Sequence, residues 1–466
     1  MTSWRDAGVD YHDSVADLIG GTPLVRLRSV TAGLSATVLA KLEYLNPCGS
    51  VKDRIARRMV ESAERDGRLR PGGTLVEPTS GNTGLGLAML AQQRGYRAVF
   101  TCPDKVSPDK IRVLRAYGAE VVVCPAVVPV DHAESYRSVS DRLAREIPGA
   151  VKLDQYSNPD NPASHYHGTG PELWAQTAGR ITHFVASIGT GGTISGIGRH
   201  LKEVSDGRVR VIGADPEGSV YSGGTGRPYL LEGVGQPGLP ASFDPGVPDE
   251  ILAVPDAESL ALTVRLAREE AMLVGGSGGL AVAAALRTAA KLGPDALVVV
   301  LLPDSGRGYL SKIFDDRWMA RYGFSEEPGA GPRYRDLLRT AEPLVTVGPD
   351  DTVEQAVKVL HERGLPGAPV TAAEAPVRSG EILGSVRTGA LAEALLGGRA
   401  LAGTRAAEVM GPVPPFAGAG ERVIPGSGPL TDGGFALVLE AGLVRAAVTA
   451  HDVLRHWQTH PPTGDA

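Results

Sequence analysis

Cysteine is scarce in this chain: Cys48, Cys102 and Cys124 are the only three in 466 residues, and no two form a CxxC pair. An odd, sparse set excludes a disulfide framework and points to a reducing cytoplasm. No apolar run reaches the about 18 residues that a membrane-spanning helix needs, and the N-terminus lacks an apolar secretory stretch. Basic charge is not in excess either. The 47 Lys and Arg face 53 Asp and Glu, a net charge of −6 with no basic patch, which excludes nucleic acid as a partner. Glycine and proline, by contrast, are plentiful at 60 and 35 residues. They lack collagen periodicity and sit in short loops between apolar runs, as an α/β protein requires. The length fits about three domains.

Short β-rich runs alternate with amphipathic segments. Strands are predicted at Ala98–Cys102, Glu120–Cys124, His183–Ile188, Val209–Ala214 and Ala296–Leu302, with helices such as Glu258–Leu273 between them. That order predicts a parallel sheet covered on both faces. Within it, Asn46-Pro47-Cys48-Gly49-Ser50-Val51-Lys52-Asp53-Arg54 reads as a turn that runs into a helix. Lys52 then stands at the helix N-terminus, where the positive dipole end lowers its pKa and favours a nucleophilic amine. Thr79-Ser80-Gly81-Asn82-Thr83-Gly84 and Gly189-Thr190-Gly191-Gly192-Thr193 each follow an apolar strand and open a helix. Such loops offer N–H groups to a phosphate or carboxylate. Two of them with a lysine suit pyridoxal 5'-phosphate and a carboxylate-bearing substrate. The second loop fails the dinucleotide fingerprint, because Ile194 stands where glycine or alanine is needed.

Those three motifs, in order and spacing, resemble the fold-type II pyridoxal-phosphate enzymes over residues 10–325, in the subgroup of cysteine synthase and cystathionine β-synthase. Leu153-Asp154-Gln155-Tyr156, Leu231-Glu232-Gly233-Val234-Gly235 and Phe314-Asp315-Asp316-Arg317-Trp318-Met319 are similar to the cystathionine β-synthase versions of their segments. The resemblance implies two open, twisted, mostly parallel-sheet subdomains, with a mobile small one at about 46–150 inserted in the large one. It makes Lys52 the Schiff-base lysine and sets Asn82 beside the cofactor's 3′ oxygen. Gly189, Thr190, Gly191, Gly192 and Thr193 take the phosphate, and Ser277 faces the pyridine nitrogen, leaving it largely unprotonated. Thr79, Ser80 and Thr83, with Gln155, clamp the substrate carboxylate, although the first three also suit a plain helix cap. Glu232 is either a structural loop acid or a residue that positions the second substrate. Tyr156 and Tyr309 are open in the same way, and Asp304 lines the cofactor site.

The implied reaction is β-replacement. Lys52 removes the Cα proton of L-serine and protonates the departing hydroxyl, and homocysteine thiolate adds to the aminoacrylate to give cystathionine. Release of hydrogen sulfide from cysteine is a side reaction of the same kind. The alternative is a cysteine synthase using O-acetylserine and sulfide. A reading of another class, a metabolite sensor with a vestigial core, conflicts with the intact Lys52, Asn82 and Gly189–Thr193. Haem is not expected, since about ten residues precede the core and no cysteine precedes Cys48; no metal site is expected either.

Glu326–Arg333, with Pro-Gly-Ala-Gly-Pro, breaks the composition and marks a linker over 326–338. Beyond it an α+β pattern occurs twice, at 339–400 and 401–460, and resembles a tandem of CBS modules. The second copy is shortened: the prolines and glycines of Val423–Pro429 argue against a helix there. Thr449 and Asp452 retain a Ser/Thr-x-x-Asp element that in such modules takes an adenosine derivative. Arg387-Thr388-Gly389-Ala390 has no acid at the matching place. The resemblance further implies a cytoplasmic homodimer or homotetramer.

Overall fold

A computed structural model describes residues 10–460 except 80, 105, 107, 126–131, 339–343, 399, 401, 425–428 and 431–433. It divides into two compact units. The first holds the chain to Gly226 and Leu231–Tyr309; the second takes in Arg227–Leu230 and everything from Leu310. Compactness thus divides the chain upstream of the sequence boundary at 325.

In the first unit the elements run β1 (Leu24–Arg26), β2 (Thr37–Leu42), α1 (Lys52–Arg65), β3 (Thr74–Pro78), α2 (Asn82–Arg94), β4 (Arg97–Pro103), α3 (Pro108–Ala116), β5 (Glu120–Cys124), α4 (Tyr136–Glu146) and β6 (Ala150–Lys152). There follow α5 (Asp160–Ser164), a π-helical turn (His165–Thr169), α6 (Gly170–Gln176), β7 (His183–Ser187) and α7 (Gly192–Val204). The unit closes with β8 (Arg210–Pro216), β9 (Glu250–Val254), α8 (Asp256–Glu269), α9 (Gly276–Ala289) and β10 (Leu297–Leu302). All five predicted strands are present, within one or two residues at their ends.

Two sheets form. The larger has the order β1-β2-β10-β7-β8-β9 and is parallel apart from β1; the smaller, β5-β4-β3-β6, is parallel throughout. β10, Leu-Val-Val-Val-Leu-Leu, is continuously apolar because it lies mid-sheet, buried on both faces. Each sheet has its own core. Phe184, Ile194, Val211, Val299 and Leu301 belong to one, and Leu75, Phe100, Leu87 and Met59 to the other. Val51 packs in the first core and Ile55 in the second. Lys52, between them, therefore lies at the seam of the two sheets. The C-terminal ends of the parallel strands open there, where open α/β sheets place ligands.

The second unit contains α10 (Asp316–Arg321), α11 (Tyr334–Leu337), α12 (Val353–Arg363), β11 (Gly367–Val370), β12 (Gly384–Arg387), α13 (Thr388–Leu396), α14 (Ala406–Val409), β13 (Phe416–Gly418), β14 (Phe435–Glu440), β15 (Leu443–Thr449) and α15 (Ala450–Thr459). β11 pairs antiparallel with β12, and β13-β14-β15 form a separate sheet. The 326–338 stretch is packed rather than a free connector. Tyr334 and Leu337 are buried with Ala436, Val438 and Val448, and Arg333 Nη1 donates to Glu327 O at 2.7 Å. The Arg227 guanidinium donates to both carboxylate oxygens of Glu381 at 2.7 and 2.8 Å, which ties Arg227–Leu230 into this unit. Residues 425–428 of the shortened second copy lie outside the described residues.

Candidate active site

Lys52 is the first residue of α1, and the turn before it is fastened to the end of β10. Val51 N–H donates to Pro303 O at 2.8 Å, Ser305 N–H donates to Gly49 O at 3.0 Å, and Ser50 bridges Asp304. Gly49, at φ 81°, holds a left-handed conformation that favours glycine. Burial lowers the Lys52 pKa, and the carboxylate of Asp304 partly restores it. The direction is the one the sequence predicts, with burial as its largest cause. Asp53 Oδ2 accepts Cys48 N–H at 2.6 Å and so braces the same turn; its pKa is pushed up to about 7, chiefly by burial.

Asp304 is the hub of the site. Its Oδ2 accepts Asn82 Nδ2–H at 2.8 Å and Tyr309 O–H at 2.7 Å, and its Oδ1 accepts Ser277 O–H at 3.3 Å. Three donors from α2, α9 and the turn after β10 thereby meet one acid at the strand end. Side chains matched by sequence to the cofactor's 3′ oxygen and ring nitrogen thus share an anchor. Gly275 has no side chain because a Cβ there would run into the Asp304 carboxylate. Beyond Tyr309, Lys110 Nζ lies 4.6 Å from its ring centroid and pairs with Glu232. Glu232 is therefore an ion-pair partner of Lys110, linked to Asp304 through Lys110 and Tyr309. Burial and Asp304 push the Tyr309 hydroxyl pKa well up, so it stays a donor.

The Gly189–Thr193 loop joins β7 to α7. Gly191 is left-handed at φ 86°, and Cβ atoms at Gly189, Gly191 and Gly192 would run into Gly233 O, Phe243 and Asn161. The loop therefore lies flat on its supports, with the first N–H groups of α7 left over from intrahelical bonding. Tyr221 O–H donates to Gly189 O at 2.7 Å, and Ser242 O–H to Thr190 O at 2.6 Å. From behind, Asn161 Nδ2 donates to Thr190 Oγ1 at 3.0 Å, and His165 Nε2 lies 3.2 Å from Thr193 Oγ1. At the strand end before the loop, Ser187 Oγ is buried without a partner.

Thr83 O–H donates to Gln155 Oε1 at 2.6 Å, joining the two residues that sequence assigned to a carboxylate clamp. Glu77, fully buried, holds Gln155 by accepting its N–H at 3.0 Å, and that of Asp154 at 2.9 Å. Thr79 caps α2: its Oγ1 accepts Gly84 N–H at 3.1 Å and Gly81 N–H at 3.3 Å. Ser80 lies outside the described residues. The Tyr156 ring has the Arg137 guanidinium 4.5 Å from its centroid, and burial raises the Tyr156 pKa. In the second unit, Asp452 Oδ2 accepts the N–H and O–H of Thr449, both at 2.8 Å, so this pair closes the start of α15.

The residues present fit pyridoxal phosphate. A lysine of lowered pKa, an amide and two hydroxyls on one acid, and a glycine loop ending in orphan helix N–H groups supply what an aldehyde, a ring and a phosphate require. Sequence reasoning missed Asn161, His165, Lys110 and Glu77, and gave Asp304 no specific part. An acid closing Leu302-Pro303-Asp304 was the one available signal.

Comparison with known proteins agrees. The family described as "Pyridoxal-phosphate dependent enzyme" matches residues 15–304. Cystathionine β-synthase of Mus musculus is 43% identical over 399 residues, covering 82% of this chain and 69% of that protein. Cysteine synthase of Staphylococcus aureus is 42% identical over 311 residues, 65% of this chain and 98% of that protein. The crystal structure of the O-acetylserine dependent cystathionine β-synthase from Helicobacter pylori matches with TM-score 0.61 and 36% identity, over 65% of this chain and 99% of that one. Among the described residues no helix is long and apolar enough to cross a membrane. With the family match spanning the site from before Lys52 to Asp304, and only Tyr309 beyond its end, the chain belongs to the pyridoxal-phosphate dependent enzymes, among the cystathionine β-synthases and cysteine synthases.

Proposed function

We propose that this chain catalyses β-replacement on L-serine, condensing it with L-homocysteine to L-cystathionine and water. The observation that carries the proposal is Lys52, half-buried at the sheet seam and bound through its own turn to the strand end bearing Asp304. Bound pyridoxal phosphate supplies the electron sink that makes the substrate Cα proton removable. The protein does the rest. Lys52, neutral more readily than a surface lysine, takes that proton and returns one to the leaving β-oxygen. Asp304 fixes Asn82 and Ser277 toward the ring, and the Gly189–Thr193 loop holds the phosphate. Thr83 and Gln155, with Thr79 and, by its place in the sequence motif, Ser80, orient the substrate carboxylate. Glu232 and Lys110, with Tyr156, set the charge near the second substrate.

A second reading has a specific support. The Staphylococcus aureus relative is named cysteine synthase, and the Helicobacter pylori enzyme is called O-acetylserine dependent. Products of serine plus homocysteine, and of O-acetylserine plus sulfide, read by mass spectrometry on cofactor-loaded enzyme, decide between them. Cystathionine from the first pair, absent in Lys52→Ala, is the expected result; cysteine from the second pair alone would overturn the proposal. We read residues 339–460 as a CBS pair that takes an adenosine-type effector at Thr449 and Asp452, in a cytoplasmic homodimer or homotetramer. Calorimetric titration with S-adenosylmethionine, AMP and ATP tests the effector, and no heat with any of them would refute it.

A further inference from the structure

Both threonines of the Gly189–Thr193 loop are met from behind by one segment, α5 and the π-helical turn that follows it. Asn161 Nδ2 serves Gln155 O at 2.6 Å as well as Thr190 Oγ1. A carbonyl only accepts, so the Asn161 amide is the donor and Thr190 oxygen accepts, leaving the Thr190 proton for another partner. His165, fully buried, makes the matching contact to Thr193, and its Nδ1 lies 2.9 Å from Thr169 Oγ1. α7 packs this closely because residue 196 is glycine: a Cβ there would stand 2.7 Å from His165 Cβ. The π turn, with its extra residue per turn, is a feature that concentrates at functional sites.

Burial, reinforced by Arg54 and Lys52, holds the imidazole neutral, so it carries one donor and one acceptor. If Nε2 accepted, the single Thr193 proton would be spent on it and the hydroxyl would turn lone pairs toward an anion. If Nε2 donates, Thr169 O–H meets Nδ1 and the Thr193 proton is left for the loop's ligand. We infer that His165 is a positioning residue of the phosphate-holding loop, which as its Nε2–H tautomer, with Nδ1 accepting from Thr169 O–H, aims the Thr193 hydroxyl proton at the cofactor phosphate. The inference rests on the proposed assignment of Gly189–Thr193 to that phosphate.

The test uses full-length apoenzyme titrated with pyridoxal 5'-phosphate and with pyridoxal, which lacks the phosphate, and phosphorus NMR of the bound cofactor. Thr193→Ala serves as reference and weakens pyridoxal phosphate alone, about tenfold. His165→Leu is expected to weaken pyridoxal phosphate about tenfold and pyridoxal less than about twofold, with a shifted phosphorus resonance. His165→Gln, which keeps a donor near the Nε2 position, restores affinity to within about threefold of the natural protein. Added to Thr193→Ala, His165→Leu has no further effect on the ratio of the two affinities. Equal weakening of both ligands by His165→Leu, or no rescue by His165→Gln, overturns the inference. If His165→Leu fails to fold, Thr169→Val is read in its place: it weakens pyridoxal phosphate about threefold more than pyridoxal, and an unchanged ratio overturns the inference. A Thr193→Ala protein with unchanged phosphate preference refutes the loop assignment itself.

Discussion

Glu43 offers the sharpest test of how the site is held. Its carboxylate is fully buried and accepts from Arg54 at 2.7 and 2.8 Å, from Thr22 O–H at 2.6 Å and from Asn46 Nδ2 at 2.9 Å. Arg54 also pairs with Glu172, which pairs with the fully buried Lys41. Two cations and two anions thus balance beneath the helix that starts at Lys52. Glu43→Ala leaves one buried positive charge uncompensated, which costs about 3–5 kcal/mol. For a unit of roughly 300 residues that lowers Tm by about 5–8 °C. Scanning calorimetry of the full chain reads it, the relevant transition being the one that pyridoxal phosphate raises. The pH dependence has a defined sign. Burial works to raise the Glu43 pKa, but the charge and hydrogen bonds of Arg54 outweigh it and the folded value is lowered. Its stabilisation is therefore present above about pH 4.3 and lost as pH falls through the lower folded value, so the two proteins converge in acid. The double variant Glu43→Leu/Arg54→Met removes one charge of each sign and should recover most of the loss. A Tm drop under about 2 °C for Glu43→Ala would refute the reasoning.

Asp304→Asn puts an amide where three donors converge, and should lower kcat/KM about 100-fold. Because the Asp304 charge raises the Lys52 pKa, the same variant should move the Lys52-dependent limb of the pH–rate profile to lower pH; a limb moved upward would contradict the electrostatic assignment. Cys48 and Cys102 thiols are pushed up to about 12, first by burial. Native protein at about pH 8 should therefore resist iodoacetamide at both until denatured, as read by peptide mass spectrometry. In the second unit, Glu381→Ala removes both Arg227 bonds and should lower that unit's calorimetric transition by about 3–6 °C while leaving the cofactor-dependent one in place.

What was legible in the sequence were the features that local chemistry fixes. The strand at Glu120–Cys124 agrees to the residue, and Lys52 begins its helix because glycine and proline end the turn before it. Thr83 and Gln155, 72 positions apart, could be joined only through the resemblance, and the structure brings them to 2.6 Å. Thr79 shows the opposite case. Its oxygen accepts N–H groups at the start of α2, the plain capping reading of its residue type, while its proton is still available to the proposed carboxylate clamp. Asn161 and His165 carried no signal of a site, since the Asn-Pro pairs at 158–159 and 161–162 mark only a turn and Asn158–Thr169 has no periodic apolar face. Their part emerges only where α5 and its π turn pack against α7.

The same limit explains why Asp304 was underrated. An isolated acid at a strand end is ordinary; what makes this one central is that helix starts and a turn from separate parts of the chain are brought to it by sheet order. β10 lies between β2 and β7, so the chain leaving β2 reaches Lys52 beside the end of a strand that folds in more than 250 residues later. The smaller sheet then delivers Asn82 to the same carboxylate from the other side of the seam. Lys52 is therefore tuned by a partner remote in sequence, with burial lowering its pKa and Asp304 opposing it. Any change that moves the two sheets apart at the seam weakens the Asn82–Asp304 bond and alters Lys52 together. Cofactor affinity and the Lys52 limb of the pH profile should for that reason change jointly in variants of Asn82, and a variant that shifted one alone would show that the two sheets act on the site independently.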